Sequence, residues 1–134
     1  MRIVYYSLTG QTKRLASKFK NPLFGSENSL TEISDANPFV PINEPYLLLV
    51  PSYEEPEVED IFNDFLETEN NLSHCVGMIG SGNINFGDLF LVTAKRLRES
   101  YDLPILYELE FHGTPRDILE IEKMLDNKFS SMKG

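Results

Sequence analysis

Short unbroken apolar runs and amphipathic stretches alternate along nearly the whole chain. Ile3-Val4-Tyr5-Tyr6, Tyr46-Leu47-Leu48-Leu49-Val50 and Cys75-Val76-Gly77-Met78-Ile79 are continuous, as strands covered on both faces are. Ile105, Tyr107, Leu109 and Phe111 instead alternate with Glu108 and Glu110, which predicts a strand with one wetter face at a sheet edge. Leu30 to Ile33 is a weaker candidate for the opposite edge.

Between these runs the period changes from two to 3.6. Val58, Ile61, Phe62, Phe65 and Leu66 form one stripe, with Glu57, Glu59, Asp60, Asn63, Asp64 and Glu67 on the other face. Phe90, Ala94, Leu97 and Tyr101 make a second stripe after Gly87, and Ile118, Ile121, Leu125 and Phe129 a third. A shorter helix from about Thr12 to Phe19 turns Leu15, Ala16 and Phe19 inward. Strand followed by helix, four times over, predicts an α/β layer sandwich on a parallel sheet. One connection breaks the rhythm: Pro38, Pro41 and Pro45 in residues 34–45 leave no room for a helix. An extended loop is expected there.

Composition narrows the class. At 134 residues the chain is read as one domain, residues 1–134. Cys75 is the single cysteine, so neither an internal disulfide nor a CxxC pair exists. No apolar run approaches the roughly 20 residues that span a bilayer, and Met1-Arg2-Ile3 leads directly into a strand, so a cytoplasmic protein without a membrane partner is expected. Twelve basic against 21 acidic side chains give a net charge of −9. That charge repels nucleic acid and favours basic partners.

Three stretches leaving strand ends carry candidate chemistry. Ser7-Leu8-Thr9-Gly10-Gln11-Thr12 joins the first strand to the first helix. Its hydroxyls, its glycine and the N–H groups of a helix start suit a phosphate, although the same residues also suit an ordinary cap by Thr9 or Thr12. It is neither a Walker loop nor GxGxxG. Pro51-Ser52-Tyr53-Glu54-Glu55-Pro56-Glu57 leaves the third strand; Tyr53 can cover a planar ligand, while Ser52 or Glu54 can equally begin a helix. Gly80-Ser81-Gly82-Asn83-Ile84-Asn85-Phe86-Gly87-Asp88 leaves the fourth, and its Gly and Asn residues permit turns whose backbone reads a heterocycle edge. Ligands of open α/β sheets bind outside the carboxyl ends of the strands. Together the three loops outline a site for a flat heterocycle with one phosphate tail.

With these pieces in order, the chain resembles the flavodoxin-like proteins, and within them the NrdI family that serves class Ib ribonucleotide reductase. The phosphate loop, Glu44 to Tyr53, the Gly-Asn-x-Asn-Phe-Gly stretch at Gly82 to Gly87, and Leu109-Glu110-Phe111-His112-Gly113-Thr114 carry the likeness across nearly the whole chain. The resemblance implies a three-layer flavodoxin-like sandwich with a five-stranded parallel sheet in the order 2-1-3-4-5, lacking the usual second helix. It implies FMN as cofactor, with Ser7, Leu8, Thr9, Gly10, Gln11 and Thr12 at the phosphate. Tyr53 and Phe86 would flank the isoalloxazine, Ser81, Gly82, Asn83 and Asn85 would line its pyrimidine side, and Ser52, Glu54, Gly87 and Asp88 would complete the cofactor site. No side chain would be catalytic, because the cofactor carries the chemistry.

The implied role is that of an accessory redox flavoprotein. It would supply an O₂-derived oxidant, superoxide or peroxide, or electrons to the dimanganese–tyrosyl radical site of the reductase's small subunit. Its partners would be that subunit, O₂ and a flavodoxin-type reductase as electron source. A plain flavodoxin-type electron shuttle and a flavin-free interaction protein on the same scaffold are the alternatives. Two positions depart from the family's pattern. Glu54-Glu55-Pro56-Glu57 replaces a run of glycines, which predicts a flavin harder to reduce fully, and Ile84 stands where a basic residue is common. His74 and His112 are expected far apart, Cys75 in the core, and Lys13, Arg14, Lys18 and Lys20 on the solvated face of the first helix.

Overall fold

The computed structural model describes residues 1–6, 10–19, 29–52, 56–89 and 91–129, without the side chains of Pro56, Phe86, Asp88 and Leu89. In chain order the elements are β1 (Arg2–Tyr6), α1 (Gln11–Ala16), β2 (Leu30–Ile33), β3 (Tyr46–Pro51), α2 (Pro56–Leu66) and α3 (Asn71–His74). Then come β4 (Cys75–Gly82), a 3-10 segment (Ile84–Leu89), α4 (Val92–Tyr101), β5 (Ile105–Glu110) and α5 (Pro115–Lys128). The strands form one five-stranded sheet in the order β2-β1-β3-β4-β5. Every pairing in it is parallel.

The continuous apolar runs occupy the middle of the sheet, as their pattern requires. β3 is buried along its whole length. Side chains of a strand alternate between faces, and here both faces are covered. Val4, Tyr6, Leu48 and Val50 meet Phe62, Phe65 and Leu97 of α2 and α4 in one core. Ile3, Tyr5, Leu47 and Leu49 meet Leu15 of α1 and Ile121 and Leu125 of α5 in the other. The ring of Tyr6 meets Phe62 edge-on at 6.3 Å between centroids, and Tyr46 meets Phe65 at 5.6 Å. β2 and β5 are the edges, and Glu108 and Glu110 give β5 its wetter face.

The proline-rich stretch 34–45 contains no helix. What holds it is a buried asparagine. Asn71 Oδ1 accepts from Ile42 N–H (2.7 Å), and its Nδ2 donates to the carbonyls of Val40 (2.9 Å) and Phe65 (2.8 Å). The Tyr46 hydroxyl donates to the Asn71 carbonyl at 2.8 Å. One side chain on the short helix α3, which the apolar periodicity does not reveal, thus ties the loop to α2. Cys75 packs against the core edge, and desolvation pushes its thiol up to about 12. α1 is shorter than its pattern suggests, ending at Ala16, yet Phe19 is still buried.

Candidate functional site

The carboxyl ends of the strands form a rim of turns. After β1, α1 opens on Gly10 at φ 87°, a left-handed conformation that glycine adopts without strain. Among the described residues no side chain caps the helix, and no acidic residue lies in its first turn. Thr12 is buried and does not cap the helix, while Thr9, the other capping candidate, lies outside the described residues. A Cβ on Gly10 would meet nothing within 4 Å, so the space beside it is open. Ser7, Leu8 and Thr9 lie outside the described residues.

After β3, Ser52 N–H donates to the Ser81 carbonyl at 2.9 Å, fastening this exit to that of β4. Ser52 Oγ accepts from Thr93 N–H at 3.4 Å. Ser52 thus serves the first turn of α4, a contact with a distant segment that its place before α2 did not indicate. Tyr53 and Glu54, and Glu55 beside them, lie outside the described residues.

After β4, Ser81 is buried, Gly82 ends the strand, and Asn83 Oδ1 accepts from Asn85 N–H at 3.0 Å. That bond closes an Asx turn and starts the 3-10 segment. Gly87 sits at φ 59°, ψ −119°, which no side chain-bearing residue adopts comfortably, and a Cβ there would again point into open space. The side chains of Phe86 and Asp88 lie outside the described set, as does Phe90. Gly80 lets α4 approach: a Cβ on it would come within 3.2 Å of Ala94 and Leu91.

The exit of β5 adds residues that the pattern did not assign to the rim. Phe111 N–H donates to the Gly82 carbonyl at 3.1 Å, extending the β4–β5 ladder, and Gly113 N–H returns to the Glu110 carbonyl at 2.9 Å. Inside this turn Phe111 takes φ 52°. For an L-residue that conformation costs about 1–2 kcal/mol. Thr114 then caps α5 through a reciprocal pair with Asp117: Thr114 N–H donates to Oδ2 at 2.8 Å and Asp117 N–H donates to Thr114 Oγ1 at 3.2 Å. The Tyr107 hydroxyl donates to Asp117 Oδ1 at 2.9 Å. Desolvation raises the Asp117 pKa, but the bonds from Thr114 and Tyr107, with Lys18, outweigh it and hold the carboxyl below its usual value.

Lys18 corrects another expectation. Instead of standing on a solvated face, its ammonium donates to His112 Nδ1 at 2.6 Å and to the His112 carbonyl at 3.0 Å. It joins the end of α1 to the β5–α5 turn. Desolvation, then the charges of Lys18 and Arg14, lower the His112 pKa, so the imidazole accepts this bond in its neutral form. His74, in contrast, ends α3 at the opposite end of β4. Lys20 lies outside the described residues.

The rim's chemistry fits FMN. Its donors are the N–H groups at the start of α1 and the turned backbone after β4, beside two glycines whose Cβ direction is open. The N–H groups of a helix start with no carboxylate in its first turn suit a phosphate, and turned amides suit a pyrimidine edge.

A parallel 2-1-3-4-5 sheet with such a rim defines the flavodoxin-like class. The structural likenesses agree. A short-chain flavodoxin associated with a non-canonical PDU bacterial microcompartment superposes with a TM-score of 0.66 at 17% identity, over 98% of this chain and 97% of that one. Oxidised Flavodoxin 2 from Bacillus cereus gives 0.59 at 17% identity, over 96% and 100%. Sequence narrows the class further. Residues 3–123 match the family described as NrdI Flavodoxin like. Protein NrdI of Bartonella tribocorum (strain CIP 105476 / IBS 506) is 35% identical over 129 residues, 92% of each chain. The chain belongs to the NrdI flavodoxin-like family. That family is one of FMN-binding proteins with a role tied to ribonucleotide reductase.

Proposed function

We propose that this chain is an FMN redox protein that supplies an O₂-derived oxidant, superoxide or peroxide, or electrons for building the dimanganese–tyrosyl radical cofactor of the class Ib ribonucleotide reductase small subunit. Its electrons come from a flavodoxin-type reductase, and it works in the cytoplasm as one domain. The observation that carries the reading is the rim itself: exits of three neighbouring strands, two of them turned on open-sided glycines, in a chain of the NrdI family.

In this reading Ser7, Leu8, Thr9, Gly10, Gln11 and Thr12 hold the phosphate. Tyr53 and Phe86 flank the ring, Ser81, Gly82, Asn83 and Asn85 meet its polar edge, and Ser52, Glu54, Gly87 and Asp88 complete the site. When bound, FMN supplies one- and two-electron redox chemistry, including electron transfer to O₂. The protein's part is to bind, orient and shield. The start of α1, which carries no acidic residue, would offer backbone N–H groups to the phosphate. The Asx turn holds Asn83 through its Oδ1, and its amide NH₂ would serve as a donor to the ring's polar edge. Ser52, tied to both Ser81 and Thr93, keeps the β3 and β4 exits in register.

The test reconstitutes the radical. Apo small subunit is mixed with Mn(II), the reduced flavoprotein and O₂, and the tyrosyl radical is read by electron paramagnetic resonance. Radical that forms only when this protein is present supports the proposal. Equal yields without it contradict it.

A further inference from the structure

Beside the proposed cofactor rim, a cleft of about 640 Å³ opens between the 3-10 segment and the β5–α5 turn. Ile84 and Phe111 line it, with Glu108, Glu110 and Asp117. Ile84 is 58% exposed and Phe111 46%. Large apolar side chains this exposed are few among the described residues, and these two share one cleft. A large apolar side chain left in water gains nothing for the fold.

Phe111 sharpens the point. It occupies a left-handed backbone position that glycine would fill without strain, and its ring is too exposed for core packing to offset that strain. Strained, exposed side chains of this kind cluster where a protein binds something. The ionic side chains that line the cleft are carboxylates. Glu108 and Glu110, two apart on β5, are both exposed, while the carboxylate of Asp117 is taken up by Thr114 and Tyr107. Lys18, which reaches this turn from the end of α1, is directed at His112 and its carbonyl.

We infer that this cleft is a docking site for a basic segment of a protein partner. An apolar residue of that segment seats against Ile84 and Phe111, and its Lys or Arg side chains reach Glu108 and Glu110. A second copy of this chain, also carrying a net charge of −9, is a poor occupant on electrostatic grounds. The inference rests on the proposed function for the partner's identity, the small subunit of the reductase. The cleft's place next to the rim would bring that subunit to the cofactor.

The test measures binding of FMN-loaded protein to the small subunit at about 0.05 M and about 0.5 M salt. Phe111→Gly removes the ring and relieves the backbone. It is expected to weaken binding roughly tenfold while melting temperature holds or rises and FMN affinity is unchanged. A merely structural Phe111 would not separate these readouts. The double variant Glu108→Gln, Glu110→Gln is expected to weaken binding roughly fivefold at low salt and to flatten its salt dependence. Wild-type binding in both variants overturns the docking site and leaves the proposed function standing. Failure of the unaltered protein to bind the small subunit overturns the proposed function, and the docking site's partner with it. Self-association of the unaltered protein that Phe111→Gly abolishes would overturn the basic partner in favour of a second copy.

Discussion

The two ends of the sheet are built on opposite principles. At the amino end of β4, a fully buried Asn71 makes bonds to Ile42, Val40 and Phe65 and receives one from Tyr46. The carboxyl end is a set of turns at left-handed or glycine-only geometries, with exposed apolar side chains among them. Polar groups at the first end are satisfied internally. At the second, turned backbone and two glycines with open Cβ directions line the rim. The difference teaches where stability is held and where binding is offered: a change at the amino end should unfold the protein, and a change at the rim should leave it folded but alter what it binds.

The largest expected effect tests the first half of that contrast. Asn71→Ala strands a buried donor and two acceptors, which costs roughly 2–4 kcal/mol. Thermal denaturation should show the midpoint falling by on the order of 10 °C. A fall of only a degree or two would mean that the proline-rich loop is not held by this residue.

Next in size is Gly87→Ala. The backbone at φ 59°, ψ −119° should resist any side chain at a cost of roughly 1–3 kcal/mol. Because the segment sits on the rim, it can relax outward, so the loss should appear as about tenfold weaker FMN binding with a nearly unchanged melting temperature. Equal losses of stability and FMN affinity would erase the distinction between the two ends.

A smaller effect follows pH. His112 has a lowered pKa, so the unfolded chain takes up its proton more readily than the folded one. The stability this residue contributes is complete above its ordinary value of 6.5 and is lost as pH falls below it. Asp117, also lowered, adds a contribution present above 3.8 and lost on further acidification. Denaturant melts across this range should show stability declining toward acid. His112→Asn should remove the upper part of that decline.

The smallest change concerns Lys18. Replacing it with Met removes a cation beside the imidazole, so an NMR titration should find His112 protonating at higher pH. No movement would mean that desolvation alone sets the value.

Much of the scaffold was legible from periodicity. Continuous runs marked β1, β3 and β4, and alternation with Glu108 and Glu110 marked β5 as an edge. Three prolines correctly excluded a helix from 34–45. What periodicity could not show was contact between segments distant in sequence. Asn71 reads as a polar residue in a polar stretch, and only the fold brings it to Ile42. Lys18 reads as a solvated helix residue, because its partner is 94 positions away. Phe111 reads as the last apolar member of an alternating strand, whereas Gly113 two residues on signals the turn that lifts its ring into solvent. The glycines and asparagines after β4 announced turned backbone, yet the Asx turn at Asn83 and the geometry of Gly87 needed the structure.

The central claim is that the carboxyl rim holds FMN. The most direct measurement titrates flavin-free protein into FMN and follows flavin fluorescence, with the visible spectrum recorded at saturation. The account predicts saturable binding of one FMN per chain, with altered fluorescence and perturbed flavin bands, and weaker binding in Gly87→Ala. Fluorescence and spectrum that stay those of free FMN at every protein concentration would contradict it.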